Sequence, residues 1–170
     1  MNIPFEQLPP SARIWIYQAS RPLTAAEQAA AAPALAEFAA AWTSHGQQLR
    51  AAAAFRHDLF LLIGLDEAVA GASGCSIDAS VRFVQELEQA LGATLLDKSR
   101  LAFGRDGNIR QFPLAQIRAA VAAGDVRDDD LYFNNTLTIK AELQGNWPAP
   151  AAATWLKRYF AGPTESVTIG

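Results

Sequence analysis

Five apolar residues, Ile77, Val81, Val84, Leu87 and Leu91, recur at helical spacing between Ser73 and Gly92. A serine supplies the side-chain acceptor that a helix start needs, and a glycine supplies the left-handed stop. The pattern predicts a long helix with one apolar face, which must be covered by another layer. Its first turn lies in "ASGCSIDAS" (Ala72–Ser80), which also holds the only cysteine of the chain, Cys75.

The elements before this helix define the other layer. "ARIWIYQAS" (Ala12–Ser20) is rich in β-branched and aromatic residues and reads as a buried strand. Thr24 and Glu27 have capping-box spacing, so a helix is expected to start there and run to about Ser44. Pro33 is expected to kink or split it, and Gly46 to end it. "LRAAAAF" and "LFLLIGL" flank Arg56-His57-Asp58 and read as two strands joined by a turn. The order β-α-β-β-α follows. A strand at Thr94–Asp97 or Arg100–Phe103 would complete a ferredoxin-like βαββαβ core over residues 1–97. After it, Asp106-Gly107 marks a hairpin, and Pro113 opens a third helix with Leu114, Ile117 and Val121 inward. "LYFNNTLTIKAEL" is strand-like around Asn134-Asn135. The expected class is α+β, with residues 98–160 a hairpin-helix-strand appendage packed on the core and Ala161–Gly170 a flexible tail.

This topology reverses chain direction at every element. The loop after the first helix therefore falls at the same end as the start of the second. That brings His45 and Gly46 toward Ser73–Asp78, with Asp66 and Glu67 nearby, and sends His57 to the opposite end.

Composition removes several functions. The 170 residues are 51% hydrophobic and 18% charged, with net charge −3 and mean hydropathy +0.05. A packed core is affordable, and no broad basic surface for nucleic acid is expected. No apolar run reaches membrane-spanning length, and the N-terminal residues lack a secretory pattern. A lone cysteine forms no intrachain disulfide. A soluble cytoplasmic protein without membrane contact is expected.

"RIWIYQ", Trp42–Gly46, "LDE" (Leu65–Glu67), "SGCSID", "FNN" (Phe133–Asn135), "TIKAEL" and "NWPAP…TWLKRYF" resemble a family of small uncharacterised bacterial proteins often labelled "ABC transporter ATPase". The resemblance covers Phe5 to Phe160 and implies kinship without a reaction. The label itself requires G-x-x-x-x-G-K-[ST] to cradle phosphates. No lysine follows a glycine here, so an ABC ATPase is excluded. Leu101 to Trp147 is similar to GYF-2-type modules: hairpin, glycine-terminated helix, then a strand ending in an aromatic. Trp147 falls later than that pattern places its tryptophan. The parent class is associated with proline-rich peptides docking on aromatics.

Two functional readings remain. In the first, the start of the second helix binds a small anionic molecule through Ser73, Gly74, Ser76 and Asp78, with Glu67, Asn134 and Asn135 as further polar contacts. Cys75 is then a reactive thiol, His45 its base and Asp66 the carboxylate that orients the base. In the second, the chain is a protein-interaction module working through Trp147, Trp155, Tyr159 and Phe160, and Cys75 is a small core filler. Ser73 and Asp78 also have a purely structural explanation as helix cap and dipole partner. Two histidines and one cysteine without C-x-x-C or H-x-x-x-H spacing give no metal motif, and no cofactor is expected.

Overall fold

β5 (Phe60–Leu65) is the centre of the molecule's first sheet, and its six residues, FLLIGL, are all buried. β1 (Arg13–Gln18) and β4 (Ala51–Arg56) pair with it on either side, both antiparallel, giving the order β1-β5-β4. The computed structural model describes residues 1–162; positions 163–170 of the expected tail lie outside the described residues. The chain is α+β and divides into two units. The first comprises Met1–Lys98 and Asn135–Gln144, and the second Ser99–Asn134 and Gly145 onward.

In the first unit, α1 (Ala25–Ala41) and α2 (Gly74–Leu91) lie against each other, and α1 also contacts β4. Thr24 and Glu27 form the expected capping box. Pro33 does not split α1: it sits on the exposed side of an alanine-rich stretch, where strong helix propensity offsets one missing hydrogen bond. The helix is shorter than expected. It ends at Ala41, and Gly46 belongs to a small hairpin of β2 (Thr43–Ser44) and β3 (Gln47–Gln48). His45 and Gly46 form its two-residue turn, with φ of 50° and 76°, the pair of positive values a type I′ turn requires.

The strand expected at Thr94–Asp97 is not formed. Glu88 Oε2 accepts the N–H groups of Leu95 (2.7 Å) and Leu96 (3.2 Å), which holds that segment as a loop after α2. Arg100–Phe103 falls in β6 (Arg100–Arg105), which belongs to the other sheet. The outer edge of β1 instead carries a single antiparallel bridge, Arg13 to Ile139, with Ile14 N–H donating to Thr138 O at 2.8 Å. Residues 135–144 thus return to the first unit.

The second unit has a four-stranded antiparallel sheet in the order β7-β6-β8-β9, where β7 is Asn108–Pro113, β8 Leu131–Tyr132 and β9 Ala149–Pro150. Asp106-Gly107 makes the expected β6–β7 turn, again with two positive φ values. α3 (Ile117–Ala122) follows a short 3₁₀ turn and buries Ile117 and Ala120; Leu114 is exposed, because the 3₁₀ turn changes the facing of the first residues after Pro113. Of the strand-like stretch Leu131–Leu143, only Leu131–Tyr132 is a strand.

Two predictions test this packing. A Cβ added at Gly64 would lie 2.3 Å from Leu8 Cδ1 and 3.1 Å from Phe5 Cε2, whereas one at Gly104 would meet only ordinary contacts at 3.7 Å. Gly64→Ala is expected to destabilise by about 1–3 kcal/mol in denaturant unfolding, and Gly104→Ala to be close to neutral. The second concerns acid. The Arg21 guanidinium, at 2.8 and 3.0 Å, and the Thr24 N–H hold the Glu27 carboxyl down to about 2 from an ordinary 4.5. A carboxylate held low stabilises the fold above its unfolded pKa and loses that contribution as pH falls through the folded value. NMR titration should place Glu27 near 2, and Arg21→Gln should return it toward 4.5, with the acid limb of stability moving upward in pH.

Candidate functional site

The start of α2 is organised by two serines. Ser76 N–H donates to Ser73 Oγ (3.2 Å), and Ser73 N–H donates to Ser76 Oγ (2.7 Å), a reciprocal box closed by serine in place of the usual Glu or Gln. Ser76 Oγ also bonds Ser73 O at 2.8 Å. Both hydroxyls are therefore used within the cap. Ile77 N–H reaches Ser73 O at 3.0 Å. By helix geometry the first-turn donors left over are the N–H groups of Gly74 and Cys75.

No acidic residue occupies the first turn. Asp78 is the fifth residue of the helix and exposed, too far along to neutralise the positive end. The buried stripe runs Ser76, Ser80, Val84, Leu87, Leu91, so the expected face is turned slightly at the helix entrance, where Ile77 and Val81 flank two buried serines. That turn carries Cys75 to the surface, where its thiol is free and exposed.

The facing loop is tied to α2 by Trp42. This C-cap residue of α1 is 3% exposed, and its indole N–H donates to Ser76 O at 2.8 Å. Its ring meets Trp15 edge-on at 5.8 Å and Phe38 at 5.1 Å, and Phe38 stacks on Phe83 at 4.3 Å. A groove of about 350 Å³ results, lined by Phe38, Trp42, Thr43, His45, Ser73 and Cys75 together with Ala41, Ser76 and Ala79. His45 and Cys75 thus line one open concavity, with His45 exposed at the tip of the β2–β3 hairpin.

Other expected residues stand elsewhere. Asp66 does not line the groove: it is buried, accepts from Arg50 Nη1 at 2.8 Å and takes the Ala68 N–H at 3.1 Å, so its carboxylate anchors the loop after β5. Glu67 faces Arg13 at 3.5 Å in an exposed pair. Asn135 lies at the opposite end of the sheet, where its Nδ2 donates to Gln18 Oε1 at 2.9 Å, and Asn134 precedes it at the junction of the two units. His57 is also at that end, in the β4–β5 turn, and burial lowers its pKa. The aromatic contributors Phe38 and Trp42 have a sequence signal, two rings four residues apart at a helix end, that reads as core and becomes groove wall only once α1 stops at Ala41.

A second groove of about 500 Å³ lies between residues 2–6, α1 and β4, but Arg56 and Glu6, its two charged groups, pair with each other. Among the described residues no cluster of His, Cys, Asp and Glu could hold a metal ion, and no helix is long and apolar enough to cross a membrane.

Trp42→Phe removes the indole donor while keeping an aromatic ring. It is expected to cost about 1 kcal/mol or more in unfolding measurements, since the bond is buried.

In comparisons with protein-family models, with curated proteins and with solved structures, none matches this chain.

Proposed function

We propose that the groove at the entrance of α2 binds a small anionic molecule and presents it to the thiol of Cys75, with His45 as the neighbouring base. The observation that carries this reading is that an exposed cysteine and an exposed histidine line the same groove, at a helix start with two uncapped N–H groups. Donors at a helix start favour negative charge, whether on a ligand oxygen or on a thiolate. A volume of about 350 Å³ is at the lower end of small-molecule sites, which run from about 300 to 1,000 Å³. Binding is assigned to the Gly74 and Cys75 N–H groups and not to the serine hydroxyls, which the cap consumes. Asp66 is left out of the chemistry because Arg50 holds it.

We read the frame as a ferredoxin-like plan whose edge beside β1 is served by residues 138 and 139 in place of a full strand. The support is the order β1-β5-β4 with helices in the two crossover positions. In such a frame the end of α1 and the start of α2 share one end of the sheet.

Alkylation kinetics test the reading. Anionic iodoacetate should be favoured over neutral iodoacetamide at Cys75 by about fivefold relative to glutathione thiol, the equivalent of roughly 1 kcal/mol at a helix start. Inorganic phosphate should compete with it and shift the Gly74 and Cys75 amide resonances. His45→Asn keeps the positive-φ turn, since Asn-Gly suits type I′, and should slow alkylation several-fold. A thiol reacting like glutathione with both reagents, unaffected by phosphate and by His45→Asn, defeats the reading.

A further inference from the structure

The second unit exposes a tryptophan that is held in place. Trp155 is 38% exposed, yet its indole N–H donates to Tyr132 Oη at 3.2 Å, and its ring meets Tyr132 and Tyr159 edge-on at 6.0 and 6.2 Å. Trp147, by contrast, is buried edge-on against Phe133 at 5.2 Å. Arginines surround the exposed ring. Arg158 lies over Trp155 (5.5 Å) and Tyr159 (5.0 Å), and Arg118 of α3 lies over Tyr159 at 5.3 Å.

Both guanidiniums are exposed, and among the described residues neither has a carboxylate within 4 Å. Two other arginines of the unit are differently placed. Arg105 grips buried Asp130 with two bonds of 2.5 Å, and Arg110 faces Asp125 at 3.9 Å. Residues 145–162 contain Lys157 and Arg158 and no Asp or Glu. Arg158 Nη2 donates to Tyr159 Oη at 3.2 Å, and a guanidinium resting on a ring has lost part of its rotamer freedom while its remaining N–H donors stay open to a carboxylate.

We propose that the surface formed by Trp155, Tyr159, Arg118 and Arg158 docks a short acidic peptide, with an apolar side chain on Trp155 and carboxylates on the two arginines. Charge complementarity selects this partner. A nucleic-acid strand is disfavoured, because the neighbouring Asp128 and Asp129 add negative charge beside residues 151 and 152, whose N–H groups bond the 130 and 128 carbonyls at 2.8 and 2.9 Å. A peptide with two or three carboxylates tolerates such a neighbour better than a continuous phosphate chain. This surface is independent of the α2 groove.

Fluorescence anisotropy on the full chain tests it, with three labelled probes: the peptide EDFEDFED, the peptide KRFKRFKR and a twelve-residue oligothymidine. The acidic peptide should bind tightest, and more weakly as salt rises. The double substitution Arg118→Glu with Arg158→Glu should lower its affinity at least about tenfold, as loss of charge-assisted hydrogen bonds implies, with unchanged thermal unfolding. Trp155→Ala should also weaken it. The proposal is overturned if the acidic peptide binds no better than the basic one, if the double variant binds it equally well, or if oligothymidine binds tightest.

Discussion

The hydrogen bond from the Trp42 indole to Ser76 O fixes the candidate site. It joins the last residue of one helix cap to the first turn of the next helix, and it does so in a buried position where a lost bond is costly. At the other end of the same pair, Arg21 Nη2 donates to Leu91 O at 2.7 Å while holding Glu27. The two helices are therefore pinned at both ends by side chains that reach from the α1 side to α2 carbonyls. Because the two-residue strand β2 is all that separates Trp42 from the turn of His45 and Gly46, pinning Trp42 also places the hairpin that carries the imidazole.

The two helix starts use different chemistry for the same task. α1 closes its box with Glu27, whose charge neutralises the helix end. α2 closes its box with Ser76, which satisfies donors without adding charge. The positive end of α2 therefore keeps its attraction for an outside anion, and the next residue that could quench it, Asp78, comes beyond the first turn. Cys75 sits between these choices, on the one first-turn position whose side chain points away from the buried stripe.

Sequence periodicity and capping made much of the first unit legible: the α+β class, the succession of β1, α1, β4, β5 and α2, both helix starts, the Gly92 stop and the shared end for His45 and Cys75. Three features were hidden for identifiable reasons. The end of α1 depends on the Trp42 contact with α2, which no local propensity encodes. The missing strand at Thr94–Asp97 depends on Glu88, a helix residue whose carboxylate captures two N–H groups beyond the helix. The return of residues 135–144 to the β1 edge is a long-range pairing, and a single bridge leaves almost no alternating pattern to read. Within the site, His45, Ser73, Cys75 and Ser76 were legible as groove residues, whereas Phe38 and Trp42 read as core, and which polar groups were already occupied was hidden. Asp66 looks like a site carboxylate until Arg50 is seen, while Ser73 and Ser76 fit a cap and a ligand site equally well in sequence and the structure shows the cap.

The same distinction governs the whole surface. A net charge of −3 argues against anionic partners only if charges act as a sum. Here many carboxylates act locally: Asp66 with Arg50, Glu27 with Arg21, Asp130 with Arg105 and Glu6 with Arg56 each cancel within a few ångströms. At Asp130 burial pushes the pKa up, but the Arg105 bonds and the Arg127 N–H outweigh it and hold the group charged. What a partner meets at close range is the residue of this cancellation, because solvent screens the rest beyond about 8–10 Å. At the α2 entrance that residue is a pair of backbone donors, and around Trp155 it is two arginines lying on aromatic rings. An acidic net charge is therefore compatible with both anion-binding proposals, the small molecule at the α2 groove and the acidic peptide at Trp155.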